Sequence, residues 1–436
     1  MHRAAKETPE SGVGGNASPG GGDKAGARPA ATFLQQRLLS LDAYRGMIMI
    51  ALAFHGFGLA GLSANMLKVN PESSPWKAVA YQFNHVEWAG GGFWDMIQPS
   101  FMFMVGVSMP YSYAGRKNRG ETWGRSLLHA IVRSLVLIGL GIFLISNSTA
   151  TTNWSLMNVL TQIGLGYMFL FLLWGRPLPA QSAAAAVILA ATWALYFLYP
   201  NAGVSLETGS PEVGVTAEWA AEHLAQIAPA WHKNANIGHA IDLHLLNWLP
   251  TVEPFVFNRG GYQTINFLPS LATMLFGLMA GELLRSERSA GRKWLLLIAA
   301  GIAALGIGAA LHYAGIIPLV KRIWTPSWAI YSTGWCLLML AMLYGIIDVL
   351  GFRRWAFPLV VVGVNSIAMY VMGGLLTGWT AKTLQTHLGE KLFLVFDKLQ
   401  PGLGEIYEPF VRDTLIGLCF WLVCLWMYRQ KIFVRI

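Results

Sequence analysis

Apolar runs of about 20 residues alternate with shorter polar stretches from residue 40 almost to the carboxyl end. As a helix rising 1.5 Å per residue, a run of that length crosses the ~30 Å hydrocarbon core of a bilayer. Ten spans are expected, at about 40–63, 94–115, 126–147, 154–174, 179–199, 265–284, 292–314, 327–350, 356–378 and 410–429. The predicted fold class is therefore all-α, a polytopic transmembrane helical bundle. Two connecting segments, 200–264 and 379–409, are too long for simple turns and are expected to fold over one mouth of the bundle as short interfacial helices.

The connecting segments sort by charge. One set holds Arg28 and Arg37, the Arg116-Lys117-Asn118-Arg119 cluster with Arg125, then Arg176, Arg285 to Lys293, Arg353-Arg354 and Arg429 to Arg435. The other set, 64–93, 147–153, 200–264, 315–326 and 379–409, is longer and less basic for its length. Lys and Arg are retained on the cytoplasmic side, so both termini are expected there. Composition agrees with a membrane protein: 54% of the 436 residues are hydrophobic and 12% charged, against about 25% charged in a soluble domain. The net charge of +9 is dispersed in short clusters between apolar runs, which is orientation signal, and no nucleic-acid partner is expected. Residues 1–36, rich in Gly, Ala, Pro and Ser, read as a disordered cytoplasmic tail without the apolar core of a signal peptide. The transmembrane domain is assigned to 37–436. Cys336, Cys419 and Cys424 lie inside apolar runs as packing residues, and no spacing suggests a metal site.

Titratable groups at a membrane surface are the candidate chemistry. His85, Glu87 and Asp95 precede or open the second span on the outer side. A neutral imidazole there can accept a proton or attack an acyl group. Glu87 either orients His85 or is a solvated loop carboxylate, and Asp95 reads as structural. His55 stands about 15 residues into the first span, roughly 22 Å along it, and so reaches the same level as His85. On the inner side, Asp42 and Arg45 share a helix face, Arg133 lies in the third span, and Asp348 lies near the inner end of the eighth. Asn365 follows Arg354 by 11 residues, roughly 16 Å and close to mid-bilayer. These read either as structural pairs or as a polar funnel for an anionic donor entering from the cytoplasm.

The motifs resemble a known family. Arg37-Leu38-Leu39-Ser40-Leu41-Asp42-Ala43-Tyr44-Arg45-Gly46 is similar to the opening block of the heparan-α-glucosaminide N-acetyltransferases and their bacterial relatives. His85-Val86-Glu87-Trp88 through Trp94-Asp95 to Gly106 resembles a second block. Val159-Leu160, Leu268-Pro269-Ser270 with Gly277 and Gly281, Trp324-Thr325-Pro326-Ser327, Asp348-Val349 and Gly363-Val364-Asn365-Ser366 follow in order. The resemblance covers about 37–436. It implies a membrane acyltransferase that moves acetyl from cytoplasmic acetyl-CoA to a sugar acceptor, an amino sugar or glycan, on the far side. It further implies His85 as the active-site residue, a homodimer, and the inner (cytoplasmic) membrane of a bacterium as location. Two positions depart from the family pattern. His55-Gly56 falls where the family places an asparagine, and Gln162 stands where an arginine is expected. The alternative reading is a non-enzymatic transporter or flippase for a glycan or envelope precursor using the same polar path.

Overall fold

The computed structural model describes residues 38–200, 203–250 and 252–434; the expected tail at 1–36, with Arg28, and the basic residues Arg37 and Arg435 lie outside them. Among the described residues the architecture is all-helical, with sixteen α-helices. These are α1 Leu39–Ala53, α2 Leu59–Val69, α3 Ser74–Phe83, α4 Ile97–Asn118, α5 Trp123–Ser146, α6 Val159–Leu173, α7 Leu178–Leu198 and α8 Ala217–His223. Then follow α9 Ile237–Asn247, α10 Phe267–Arg285, α11 Ala290–Tyr313, α12 Pro326–Tyr344, α13 Phe357–Gly363, α14 Ser366–Leu375, α15 Thr377–Leu388 and α16 Leu403–Arg429.

Six helices are long and apolar enough to cross a membrane, and up to eight spans result if α1–α2 and α13–α14 each count as one bent span. The other two expected segments, 94–115 and 154–174, fall on α4, which is long but not apolar enough to qualify, and on the 15-residue α6, which is too short, so the expected count of ten is not reached. The two central helices are α10 and α12, with 67% and 61% of their apolar stretches buried, whereas α5, α7 and α11 bury only 22%, 28% and 17%. Their outward faces carry Leu128, Leu135 and Phe143, Val187 and Phe197, and Leu295, Ile302 and Ile307. Such faces suit lipid tails.

Because lipid is as apolar as leucine, helices in a bilayer associate through close packing rather than through expulsion of water. The sequence provides for this with small residues. A Cβ on Gly277 or Gly281 of α10 would lie 2.1 or 2.4 Å from the carbonyls of Phe103 and Val107 on α4. Likewise α1 and α13 cross at Gly46 and Gly363, where an added Cβ would overlap the carbonyls of Leu359 and Asp42.

The long segment 200–264 folds as expected into short helices, α8 and α9 with two 3₁₀ turns, and segment 379–409 carries most of α15 and a second short helix. The first of these makes its own core from Trp88, Tyr196, Val204, Val215, Leu224, Trp231, Val320 and Ile323. Trp88, in the segment before α4, donates its indole N–H to the Trp231 carbonyl at 3.0 Å. That bond ties this cap to the stretch bearing His85.

Candidate functional site

His85 lies in an extended stretch between α3 and a 3₁₀ turn, Trp94–Met96, that leads into α4. The turn presents Asp95, whose side chain is only 2% exposed. Its Oδ2 accepts from the backbone N–H groups of Val86 and Gly92 at 3.2 and 3.3 Å. Its Oδ1 lies 2.7 Å from His85 Nδ1. The loop between α11 and α12 adds Lys321, whose ammonium is 3.2 Å from Asp95 Oδ1 and 3.0 Å from His85 Nδ1.

Sequence explains why that loop holds still. Thr325 and Ser327 of the Trp-Thr-Pro-Ser motif both donate to the Pro318 carbonyl at 2.7 Å, and Thr325 Oγ1 also accepts from Val320 N–H. Gly90 N–H then donates to the Leu319 carbonyl at 2.8 Å, joining the two loops. Arg322 reaches the carbonyls of Gly260 and Val86 at 2.8 and 3.3 Å. Lys321 and Arg322 both stand over the Tyr262 ring.

His85 Nδ1 has two neighbours that favour opposite protonation states, an accepting carboxylate at 2.7 Å and a donating ammonium at 3.0 Å. An unprotonated Nδ1 would face a carboxylate oxygen with two lone pairs opposed at 2.7 Å. The shorter, charge-assisted contact favours the proton on Nδ1, donated to Asp95, with the Lys321 ammonium turned to the same carboxylate. Nε2 makes no hydrogen bond among the described residues, and the His85 side chain is 41% exposed. The arrangement is an oriented imidazole in a side chain that is 41% exposed, the geometry in which a histidine takes a proton or attacks a carbonyl.

Glu87 is exposed and makes no side-chain hydrogen bond among the described residues; its electrostatic neighbour is Lys233. The carboxylate on His85 is Asp95, which the sequence reading left as structural. Burial lowers the Lys233 ammonium from its ordinary range, Arg322 adds to this, and Glu87 opposes it. Lys233 rests on the Trp219 ring at 4.6 Å.

His55 sits at a break in the first span, where His55, Gly56, Phe57 and Gly58 take φ values of 46°, 62°, 57° and 64°. Four successive left-handed residues, two of them with side chains, are strained for L-amino acids. The break bends the span by 49°. A Cβ added at Gly56 would meet Phe83 at 2.9 Å and Trp94 at 3.2 Å, and the Trp94 ring lies 6.5 Å from that of His85. The break that carries His55 thus approaches Trp94, while the His55 side chain is exposed and makes no hydrogen bond or ring contact with His85 among the described residues.

The residues expected on the inner side do not form one cluster. Arg45 pairs with Asp42 at 3.4 Å and donates to Ser108 on α4. Asp348, in a π-helical turn after α12, accepts from Ser40 N–H at 3.3 Å and caps the first turn of α1. Arg133 donates to Tyr167 at 3.2 Å and stacks over that ring, in a separate aromatic core. Asn365 is fully buried at the α13–α14 break; its amide donates to the Ile432 carbonyl and accepts from Val434 N–H, both at 3.0 Å. It ties down the carboxyl-terminal stretch rather than facing a cavity. A depression of about 430 Å³ lined by Pro110, Trp174, Glu282 and Arg285 opens two residues along α4 from Ser108. Gln162 donates to the carbonyls of Leu156 and Thr264, joining α6 to the end of segment 200–264.

Lys321 is what the sequence reading missed. Its available signal was the Lys321-Arg322 pair itself, two cations in an outer loop against the prevailing charge bias.

No protein-family model matches the chain. It is 24% identical over 444 aligned residues to the heparan-alpha-glucosaminide N-acetyltransferase of Homo sapiens and 22% identical over 440 to that of Mus musculus. Each alignment takes in 92% of this chain and 60% of the relative, so the chain spans about three-fifths of the length of the proteins it matches. The chain is a multi-pass membrane protein that resembles the heparan-α-glucosaminide N-acetyltransferases across nearly its whole length.

Proposed function

We propose that the chain is a transmembrane acetyltransferase that takes acetyl from acetyl-CoA on the cytoplasmic side of an inner membrane and delivers it to a sugar amine at the outer mouth. The observation that carries this is His85, held through Nδ1 by a buried Asp95 and open at Nε2. As a base, Nε2 takes the proton that the amine loses as it attacks the thioester carbonyl, and CoA leaves as its thiol. As a carrier, Nε2 itself attacks the thioester, CoA leaves, and the amine then removes the acetyl group from the imidazole. His55, on the break that approaches Trp94, assists in this reading, and Glu87 borders the acceptor. On the donor side, Arg45, which pairs with Asp42, and Arg133 are the cations that meet the CoA phosphates, while Asp348 and Asn365 hold the backbone of α1 and of the 432–434 stretch. Both termini are cytoplasmic in this reading.

Detergent-purified protein incubated with radiolabelled acetyl-CoA and a panel of amino sugars tests it. Label is expected in a sugar product, with loss of transfer but retained CoA binding in His85→Ala. Well-folded wild-type protein that fails to bind CoA would end the proposal. A trapped acetyl-histidine with ping-pong kinetics selects the carrier route, and an obligatory ternary complex selects the base.

One observation favours a transporter instead. Two bent spans, α1–α2 and α13–α14, pack against each other, an arrangement that transporters use for substrate sites. Under that reading His85→Ala leaves flux of a glycan precursor intact in reconstituted vesicles.

A further inference from the structure

We propose that Lys321 is a positioning residue whose buried ammonium neutralises Asp95 and so keeps an additional proton off the His85–Asp95 pair. The side chains of Asp95 and Lys321 are 2% and 7% exposed, so neither has water as its main partner. A buried carboxylate requires a cation in contact, and breaking such a pair on one side is far costlier than never forming it. Two groups touch Asp95 that can be cationic, Lys321 and His85. With Lys321 charged, the three groups sum to zero while the imidazole is neutral, and Nε2 keeps its lone pair.

The other groups around His85 do not replace Lys321. From its own stretch come Trp94 and the exposed Glu87. From the facing loop comes Arg322, whose guanidinium is engaged by the Val86 and Gly260 carbonyls. The cap contributes Tyr262, with Lys233 beyond it on Trp219, and the α1–α2 break, which carries His55, approaches Trp94 at Gly56. None of these makes a hydrogen bond to Asp95, whose remaining partners are the Val86 and Gly92 N–H groups. Without Lys321 the pair takes up a proton, on the imidazole or on the carboxyl. Either way Nε2 becomes protonated, because a protonated carboxyl donates to Nδ1 and moves the imidazole proton outward.

The proton statement stands on geometry alone; its catalytic consequence rests on the acetyltransferase reading. The test is the rate at which diethyl pyrocarbonate, which reacts with unprotonated imidazole nitrogen, modifies His85 between pH 5 and 9. It is read by mass spectrometry of the His85 peptide from the full chain in detergent. In Lys321→Met the midpoint of reactivity is expected to move up by about one pH unit, roughly a tenfold slower reaction below it. Lys321→Gln, which keeps a hydrogen bond to Asp95 and is gentler on folding, moves it in the same direction. Lys321→Arg stays near wild type, and Lys321→Met combined with Asp95→Asn returns toward it. A wild-type midpoint in folded Lys321→Met or Lys321→Gln overturns the inference, as does a double variant that does not return. Absence of acetyl transfer under all conditions would remove the enzymatic reading while this midpoint still decides the role of Lys321.

Discussion

At the scale of single residues, the two carboxylates near His85 separate by what each can reach. Asp95 holds Nδ1 at 2.7 Å, so Asp95→Asn disturbs the tautomer that leaves Nε2 free. Acetyl transfer is expected to fall by about 10²–10⁴-fold, with CoA affinity unchanged in equilibrium binding. Glu87 is exposed and unbonded, and an exposed charge of that kind contributes ~0–1 kcal/mol, so Glu87→Gln should change transfer by less than about fivefold. Equal losses in the two variants would refute this division of labour. His85 was legible in the sequence because a histidine at the mouth of an apolar run stands out. The Asp95–Lys321 contact was not, since 226 positions separate the partners and hydropathy assigns a residue to a side of the membrane without saying what it touches.

Helices show a second kind of limit. Residues 40–63 read as one apolar span, yet α1 ends at Ala53 and α2 begins at Leu59. Averaging hydropathy over some 20 residues cannot see the sign of φ, and the left-handed run at His55–Gly58 is a backbone event. The His-Gly-Phe-Gly sequence was its available trace. Gly58 is indispensable there on two grounds, a φ of 64° and a Cβ position 2.1 Å from the Pro409 carbonyl oxygen of α16. Gly58→Ala should lower stability by at least ~2 kcal/mol, the left-handed penalty of about 1–2 kcal/mol plus the overlap. Thermal unfolding in detergent reads this, and an unchanged midpoint would show that the span straightens at little cost. Asn365 teaches the same lesson. Rise per residue gave its distance from Arg354, but the 64° bend between α13 and α14 puts its amide on the backbone of residues 432–434.

For the whole molecule, sidedness and the outer cap make two further predictions. Glu212 in the 3₁₀ turn Pro211–Val213 and Arg288 between α10 and α11 are both exposed and should lie on opposite sides. Cysteines introduced there should be labelled by an impermeant maleimide on intact cells only at position 212, and labelling of both or of 288 alone would reverse or break the topology. The cap also carries a buried Asp242, 1% exposed, whose two oxygens accept from Thr264 N–H at 3.0 and 3.3 Å. Burial pushes its carboxyl up to about 6, against the opposing effect of those bonds. The folded state thus holds this proton more tightly than the unfolded chain, for which the ordinary value near 3.8 applies. Stability from this group is fully present below pH ~4 and is lost as pH rises through about 6, by up to ~3 kcal/mol. Asp242→Asn keeps an acceptor for Thr264 and should flatten that decline in melting temperature between pH 4 and 7.

What the sequence determined by itself was class: helices in a membrane and short helices in the two long connecting segments, with a charge bias that sets an expected sidedness for His85. Those properties are sums over neighbouring residues, and a bilayer imposes them through transfer free energies that act on each segment separately. Tertiary structure alone decided which groups meet. It chose Asp95 over Glu87 as the carboxylate on His85, brought Lys321 in from a loop more than 200 positions away, and spent Asp348 and Asn365 on the backbone of distant segments. Contacts of that kind depend on helix bends and on glycine-to-carbonyl approaches of a few ångströms, and neither leaves a periodic mark on the chain.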